Sequence, residues 1–278
     1  MRLGTAITPD QQVPVLVTAA GLHPLEGRES LLAWAAAPRE ELERAAVDAQ
    51  RAPRLHGARL TAPLRPPKIV AIGLNYLDHI REQGAERPER PLVFAKFPSC
   101  VIGDGDPIPI DSEITRKVDW EVELGVVVGR RISRASEDEV MDSVFGYTVA
   151  NDVTARDLQR SERQWTRAKS LDGFCPLGPV LLTADEVADP QRLKLTTKVN
   201  GETMQDSTTA EMLFGVAKLL SWCSHGFAFE PGDLLLTGTP WGVGAYMDPR
   251  RFLAPGDEVE VSVEGIGSLR NPVIAAAQ

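Results

Sequence analysis

Between Val118 and Gly129 the chain first alternates acidic and apolar side chains and then turns wholly apolar. Asp119, Glu121 and Glu123 interleave with Trp120, Val122 and Leu124, and Gly125-Val126-Val127-Val128 follow. Side chains in a strand point alternately to its two faces, so the pattern predicts a strand with three carboxylates on one face. The ordinary expectation for such a strand is half-wetted, its acids in water. The apolar continuation points the other way, because a run apolar on both faces suits a strand covered from both sides. A second alternating stretch, Asp257-Glu258-Val259-Glu260-Val261-Ser262-Val263-Glu264, has no such continuation, and its acids are expected to face solvent. Carboxylates crowded in a covered strand repel one another and take up protons unless a cation lies between them. The first stretch therefore asks for a metal and for further ligands.

Periodicity and breakers organise the rest. Met1 to Thr18 predicts two short strands around a Thr8-Pro9-Asp10 turn, and Pro38 opens a helical stretch rich in Glu, Arg and Ala. Pro53, Pro63, Pro66 and Pro67 then interrupt the pattern, and Lys68-Ile69-Val70-Ala71-Ile72-Gly73 resumes as a strand. The boundary is placed near residue 66: a small N-terminal α+β domain over 1–65 and a larger domain over 66–278. Beyond the boundary come many short strands separated by Gly, Pro and Asp, few long helices and no repeat. That pattern predicts a mixed α+β fold built on a β-roll or sandwich, in place of a doubly wound sheet.

Composition narrows the setting. With 278 residues, 43% hydrophobic and 25% charged, the chain is ordinary globular material, and its net charge of −9 argues against nucleic acid or an anionic membrane as partner. No apolar run approaches the ~20 residues needed to span a bilayer. Cys100, Cys175 and Cys223 are far apart and form no Cys-x-x-Cys pair, so three buried thiols in a soluble, reducing, cytoplasmic setting are expected.

Candidate chemistry gathers around the acidic strand. Gly146 to Ala150 reads as a strand ending at Asn151-Asp152, where an Asp is ordinarily a turn former or helix cap. Beside Glu121 and Glu123 it becomes a third oxygen ligand. Three carboxylates with no nearby His or Cys suit Mg²⁺ or Mn²⁺ better than zinc. His79 and Glu82, three apart, share a face if their segment is helical, and a carboxylate holding an imidazole suits a general base; a solvated surface turn would carry the same pair. At Thr237-Gly238-Thr239-Pro240 glycine permits close backbone approach, and the Thr239 hydroxyl can anchor an oxyanion.

Six motifs in one order carry a resemblance: Gly73 to His79 (GLNYLDH), Asp119 to Leu124 (DWEVEL), Asn151 to Gln159 (NDVTARDLQ), Ala168-Lys169-Ser170, Lys198 to Glu202 (KVNGE) and Thr237 to Pro240 (TGTP). Over residues 68 to about 270 the sequence is similar to the fumarylacetoacetate hydrolase family. The resemblance implies a β-roll catalytic domain that forms a homodimer, with Glu121, Glu123 and Asp152 as metal ligands and Asp119 acidic but not ligating. It implies a catalytic dyad, His79 with Glu82, on a mobile lid; the polar stretch Gln83 to Pro91, interrupted by Gly and Pro, suits the hinge of such a lid and equally an ordinary surface loop. Lys169 becomes a catalytic cation beside the acids, and Arg156, Gln159 and Thr239 face the substrate.

The activity implied is that of a divalent-metal enzyme acting at a carbon–carbon bond of a small 2-oxo or 2,4-dioxo acid. Acylpyruvate- or fumarylpyruvate-type hydrolysis is expected first. Decarboxylation of the oxaloacetate type and 2-hydroxyhepta-2,4-diene-1,7-dioate isomerisation follow, since all pass through an enolate. A binder of metal and keto acid without turnover is the alternative from another class, and the intact acids, His79, Glu82 and Lys169 speak against it.

Overall fold

The computed structural model describes residues 1–276. Strands Arg2–Ile7 and Gln12–Thr18 pair antiparallel across a turn closed by the Thr8 N–H and the Gln11 carbonyl at 2.9 Å. Helix Arg39–Arg51 starts after Pro38, with Glu40 and Glu41 in its first turn and Arg51 in its last, the charge order that favours the helix dipole. It buries Leu42, Ala46 and Ala49 on one face.

The N-terminal strands extend the large sheet of the molecule. Arg2–Ile7 pairs antiparallel with Cys175–Thr183, and the order continues through Val144–Asn151, Val122–Val128, Leu234–Leu236, Ile69–Gly73 and Leu92–Lys96. The chain then turns through Pro98–Cys100, and Val101–Ile102 pairs parallel with Cys175–Pro176 in the middle of the order. Only four residues separate Lys96 from Val101, five steps or at most about 18 Å of extended chain, so the edge strand must swing back and the sheet rolls up. A five-stranded sheet, Glu202–Thr208, Lys194–Val199, Glu258–Val263, Gly267–Ala275 and Ile108–Ile110, packs against the strands at its centre. This is the mostly β member of the α+β class expected from the strand-rich pattern.

The two acidic strands separate as their continuations predict. In Glu258–Val263 the valines are buried and Glu258 is exposed. In Val122–Val128 every position is buried, and Asp119, Glu121 and Glu123 are 0%, 5% and 1% exposed, so the half-wetted alternative is ruled out. The stretch is also not one continuous strand. Val118–Asp119 pairs with Thr154–Ala155, and the ladder with Val144–Asn151 begins only at Val122. Where it lapses, two side-chain amides replace it: Asn151 Oδ1 accepts from the Glu121 N–H at 3.0 Å, and Gln205 Oε1 from the Val122 N–H at 3.0 Å.

Register places the site. Glu123 lies opposite Ala150, which brings Asp152 beside Glu121, and Gly125 opposite Leu236 brings Thr237-Gly238-Thr239 beside Glu123. Leu236 pairs parallel with Ala71, so the chain leaving Gly73 enters helix Leu77–Gln83 at the same end. Among the described residues no helix is long and apolar enough to cross a membrane, and all three cysteines are buried free thiols.

Candidate active site

Glu121, Glu123 and Asp152 each turn one oxygen to within 4.8 Å of the other two. Their counter-charges are also buried. Lys169 Nζ lies 2.7 Å from Glu121 and 2.6 Å from Asp152, Lys96 Nζ lies 2.6 Å from Asp152, and Arg156 reaches Glu121 at 2.6 Å and Asp119 at 2.8 Å. Asp119 further accepts the N–H groups of Gly244 and Ala245, so it anchors a loop, in keeping with an acid that does not ligate. Four acids face three cations, and the acid left over is Glu123. Among the described residues it accepts one hydrogen bond, from the Gly238 N–H at 2.8 Å, and has no ion pair.

Electrostatics follow from this geometry. Burial would push the Glu121 carboxyl up, but Lys169 and Arg156 outweigh burial and hold it down at about 2. Glu123 has no such help: burial, then Asp152 and Glu121, drive its carboxyl well above the usual range. A buried, all-oxygen donor set with one unmatched charge fits a hard divalent cation such as Mg²⁺ or Mn²⁺. With that cation the local sum changes from one net negative to one net positive charge, which suits an anionic substrate.

A pH dependence of stability follows. Glu123 holds its proton to higher pH in the native state than the ~4.3 of an unfolded Glu, so the native state binds more protons in that window. Without metal, stability should be full below the unfolded value and should fall as pH rises through the raised native one. Chelator-treated protein is expected to lose melting temperature as pH rises above the ~4.3 of an unfolded Glu toward the raised native value, and Mg²⁺ or Mn²⁺ to flatten the slope while releasing about one proton per ion bound. Melting curves and calorimetry in two buffers of different ionisation enthalpy measure both effects. A metal-free protein that gains stability over this range would refute the assignment.

His79 and Glu82 meet on helix Leu77–Gln83, with Nδ1 of the imidazole 2.8 Å from Glu82 Oε2. The other carboxylate oxygen accepts the Gly242 N–H at 2.9 Å, which ties the helix to the loop at Gly242, and His79 is 5% exposed. Gly242 has φ +94°, and a Cβ there would sit 2.1 Å from the Met204 carbonyl oxygen, so glycine alone allows this approach.

Beneath the helix lies a cavity of about 190 Å³ lined by His79, Gln83, Phe94, Glu121, Arg156, Gln159, Arg160, Trp165, Lys169, Thr239 and Tyr246. Of the residues singled out in the sequence, Glu82, Glu123 and Asp152 do not line it; they stand directly behind those that do. Arg156 is committed to Asp119, Glu121 and Gln159, the last at 3.0 Å. Gln205 Nε2 donates to the Thr239 hydroxyl at 2.9 Å.

Sequence reasoning passed over Lys96, Gln83, Gln205, Arg160 and Tyr246. Lys96 ends the strand Leu92–Lys96 and gave no signal, since a lysine at a strand end is usually solvated. Gln83, four residues after His79, was visible as a helical neighbour.

A family model described as fumarylacetoacetate (FAA) hydrolase, C-terminal, matches residues 68–274. The mitochondrial oxaloacetate tautomerase FAHD2A of Bos taurus is 46% identical over 224 residues, 80% of this chain and 71% of that protein. Among solved structures, the fumarylacetoacetate hydrolase of the psychrophile Exiguobacterium antarcticum has a TM-score of 0.90 at 38% identity, covering 99% of this chain and 100% of that one. The 5-carboxymethyl-2-hydroxymuconate delta-isomerase of Mycobacterium smegmatis has a TM-score of 0.81 at 35% identity, covering 100% of both chains. These names span a tautomerase, a hydrolase and an isomerase, so the hydrolysis placed first above is one of three reactions found among the relatives.

Proposed function

The chain belongs to the fumarylacetoacetate hydrolase family, and from that premise we propose that it is a Mg²⁺- or Mn²⁺-dependent enzyme interconverting the keto and enol forms of a small 2-oxo diacid of the oxaloacetate type. The carrying observation is the cavity of about 190 Å³ in which His79 shares the walls with Glu121 and Lys169. It is smaller than the ~300–1,000 Å³ usual for drug-sized ligands, and a four-carbon diacid suits it better than an extended dioxo acid. The tautomerase name of a relative 46% identical supports the same reaction. Acylpyruvate- or fumarylpyruvate-type hydrolysis becomes the lesser reading. Decarboxylation or dienoate isomerisation through the same enolate stands between the two, favoured by the isomerase among the structural neighbours.

A divalent cation held by Glu121, Glu123 and Asp152 would supply Lewis acidity toward the 2-oxo group and its carboxylate. The protein groups do the rest. His79 takes a proton from C3, Glu82 accepts the Nδ1–H and steadies the imidazolium that results, and Lys169 offsets charge on the C2 oxygen. Arg160, exposed at the rim and without an ion-pair partner among the described residues, is placed for the distal carboxylate. Two copies acting as a homodimer in the cytoplasm complete the proposal.

Following the enol absorbance of oxaloacetate with each metal, beside pyruvate formation and acylpyruvate cleavage, tests the assignment. Enolisation is expected to be the fastest of the three. Acylpyruvate cleavage with no effect on oxaloacetate would sink it.

A further inference from the structure

Both nitrogens of the His79 ring are engaged. Glu82 takes Nδ1, and Gln83 Nε2 lies 2.5 Å from His79 Nε2. The carboxylate can only accept, at Nδ1, and the amide nitrogen that faces Nε2 can only donate, so the amide covers the Nε2 lone pair. The amide is itself held. Gln83 Oε1 accepts from the Tyr246 hydroxyl at 3.1 Å, and the Tyr246 ring stands edge-on to His79 with centroids 6.0 Å apart. The loop carrying Tyr246 is tied to the same helix through Gly242 and Glu82.

We propose that Gln83, steadied by Tyr246, is a positioning residue that withholds the Nε2 lone pair from free water and yields it to an anchored 2-oxo acid, biasing His79 toward proton abstraction from carbon and away from hydrolysis. The inference rests on the function proposed above. In enolisation the C3–H bond breaks, the proton goes to Nε2, and the bonding pair forms the C2–C3 double bond. The carbonyl pair moves to the C2 oxygen, which then takes the proton. In hydrolysis an O–H bond of water breaks, that proton goes to Nε2, and the hydroxyl oxygen bonds to the acyl carbon. The carbon–carbon pair leaves with the enolate fragment, which is then protonated.

Both reactions need the same lone pair, so the outcome turns on which partner displaces the amide. A 2-oxo acid gripped through its carboxylate has binding energy to set against that bond, whereas a lone water has nothing else to hold it. One neutral hydrogen bond corresponds to a preference of about three- to tenfold.

The test uses the whole protein with Mg²⁺ or Mn²⁺ and the variants Gln83→Leu and Tyr246→Phe. Proton abstraction is read as deuterium exchange at C3 of 2-oxobutyrate, which has neither an acyl bond to hydrolyse nor a second carboxylate to lose. Water activation is read as hydrolysis of acetylpyruvate. Gln83→Leu is expected to raise the ratio of hydrolysis to exchange about three- to tenfold, and Tyr246→Phe to shift it less in the same direction. Independently of turnover, the nitrogen resonance of His79 Nε2 should move toward that of a bare imidazole nitrogen in Gln83→Leu.

An unchanged ratio, an equal fall in both rates or an unmoved Nε2 resonance each overturns the role of Gln83. A wild type that leaves oxaloacetate untouched overturns the proposed function instead, and the resonance still decides on Gln83.

Discussion

Glu123→Gln is expected to make the metal-free protein more stable and Asp152→Asn to make it less stable, although both should abolish tight binding of Mg²⁺ or Mn²⁺. Asp152 is the shared partner of two buried ammonium groups, Lys96 and Lys169, each 2.6 Å away. Neutralising it leaves those cations short of a counter-charge, a loss on the order of 3–5 kcal/mol when a buried pair is broken from one side. Glu123 is the opposite case, a buried acid repelled by Asp152 and Glu121. Glutamine keeps the hydrogen bond from Gly238 and removes the repulsion, so the gain should grow as pH rises above the ~4.3 of an unfolded Glu and vanish below it, where the carboxyl is protonated in both states. Metal affinity should fall by at least about 100-fold in each, and Glu260→Gln, on the half-wetted strand, should stay within about 0.5 kcal/mol of wild type. Thermal melts with chelator and calorimetric metal titrations report the two properties. Stability moving in the same direction for Glu123→Gln and Asp152→Asn would refute the charge assignment.

His79→Ala should lower enolisation by about 10²- to 10⁴-fold, the usual contribution of a positioned general base. Metal affinity should change little, because His79 makes no hydrogen bond or ion pair with any of the three acids. Decarboxylation of oxaloacetate should suffer less, since carbon dioxide departs without a proton being drawn from C3. Steady-state rates on the two reactions, with metal occupancy measured in parallel, separate these effects. A His79→Ala protein that enolises at the wild-type rate with metal bound would move the base elsewhere.

How far the sequence discloses the site depends on how local each signal is. The burial of Glu121 and Glu123 is legible because the alternating stretch runs on into Leu124-Gly125-Val126-Val127-Val128, and only a covered strand tolerates that run. Asp152 is legible as the residue after a strand, and its partners become definite only through the register of Glu123 against Ala150. Lys96 is opaque: its role depends on the roll that carries the edge of the sheet back toward Cys175. Gln205 is opaque for the same reason, since it fills a lapse in a ladder formed by segments far from it in sequence. The N-terminal strands were predicted as elements, but their alternation does not encode that Arg2–Ile7 would pair with Cys175–Thr183.

The rolled sheet also bears on how the protein reaches its native state. His79, Lys96, Glu121, Asp152, Lys169 and Thr239 come from six separate stretches, and no two consecutive strands contain the acids together with their cations. Contacts of such wide separation close late, because the entropy of each intervening loop is lost before the contact returns anything. Until they close, the carboxylates are scattered on a mobile chain and hold a divalent ion only weakly. Ion uptake should therefore mark the last phase of folding, after most of the strands have formed, and a cation in the refolding buffer should slow unfolding far more than it speeds folding.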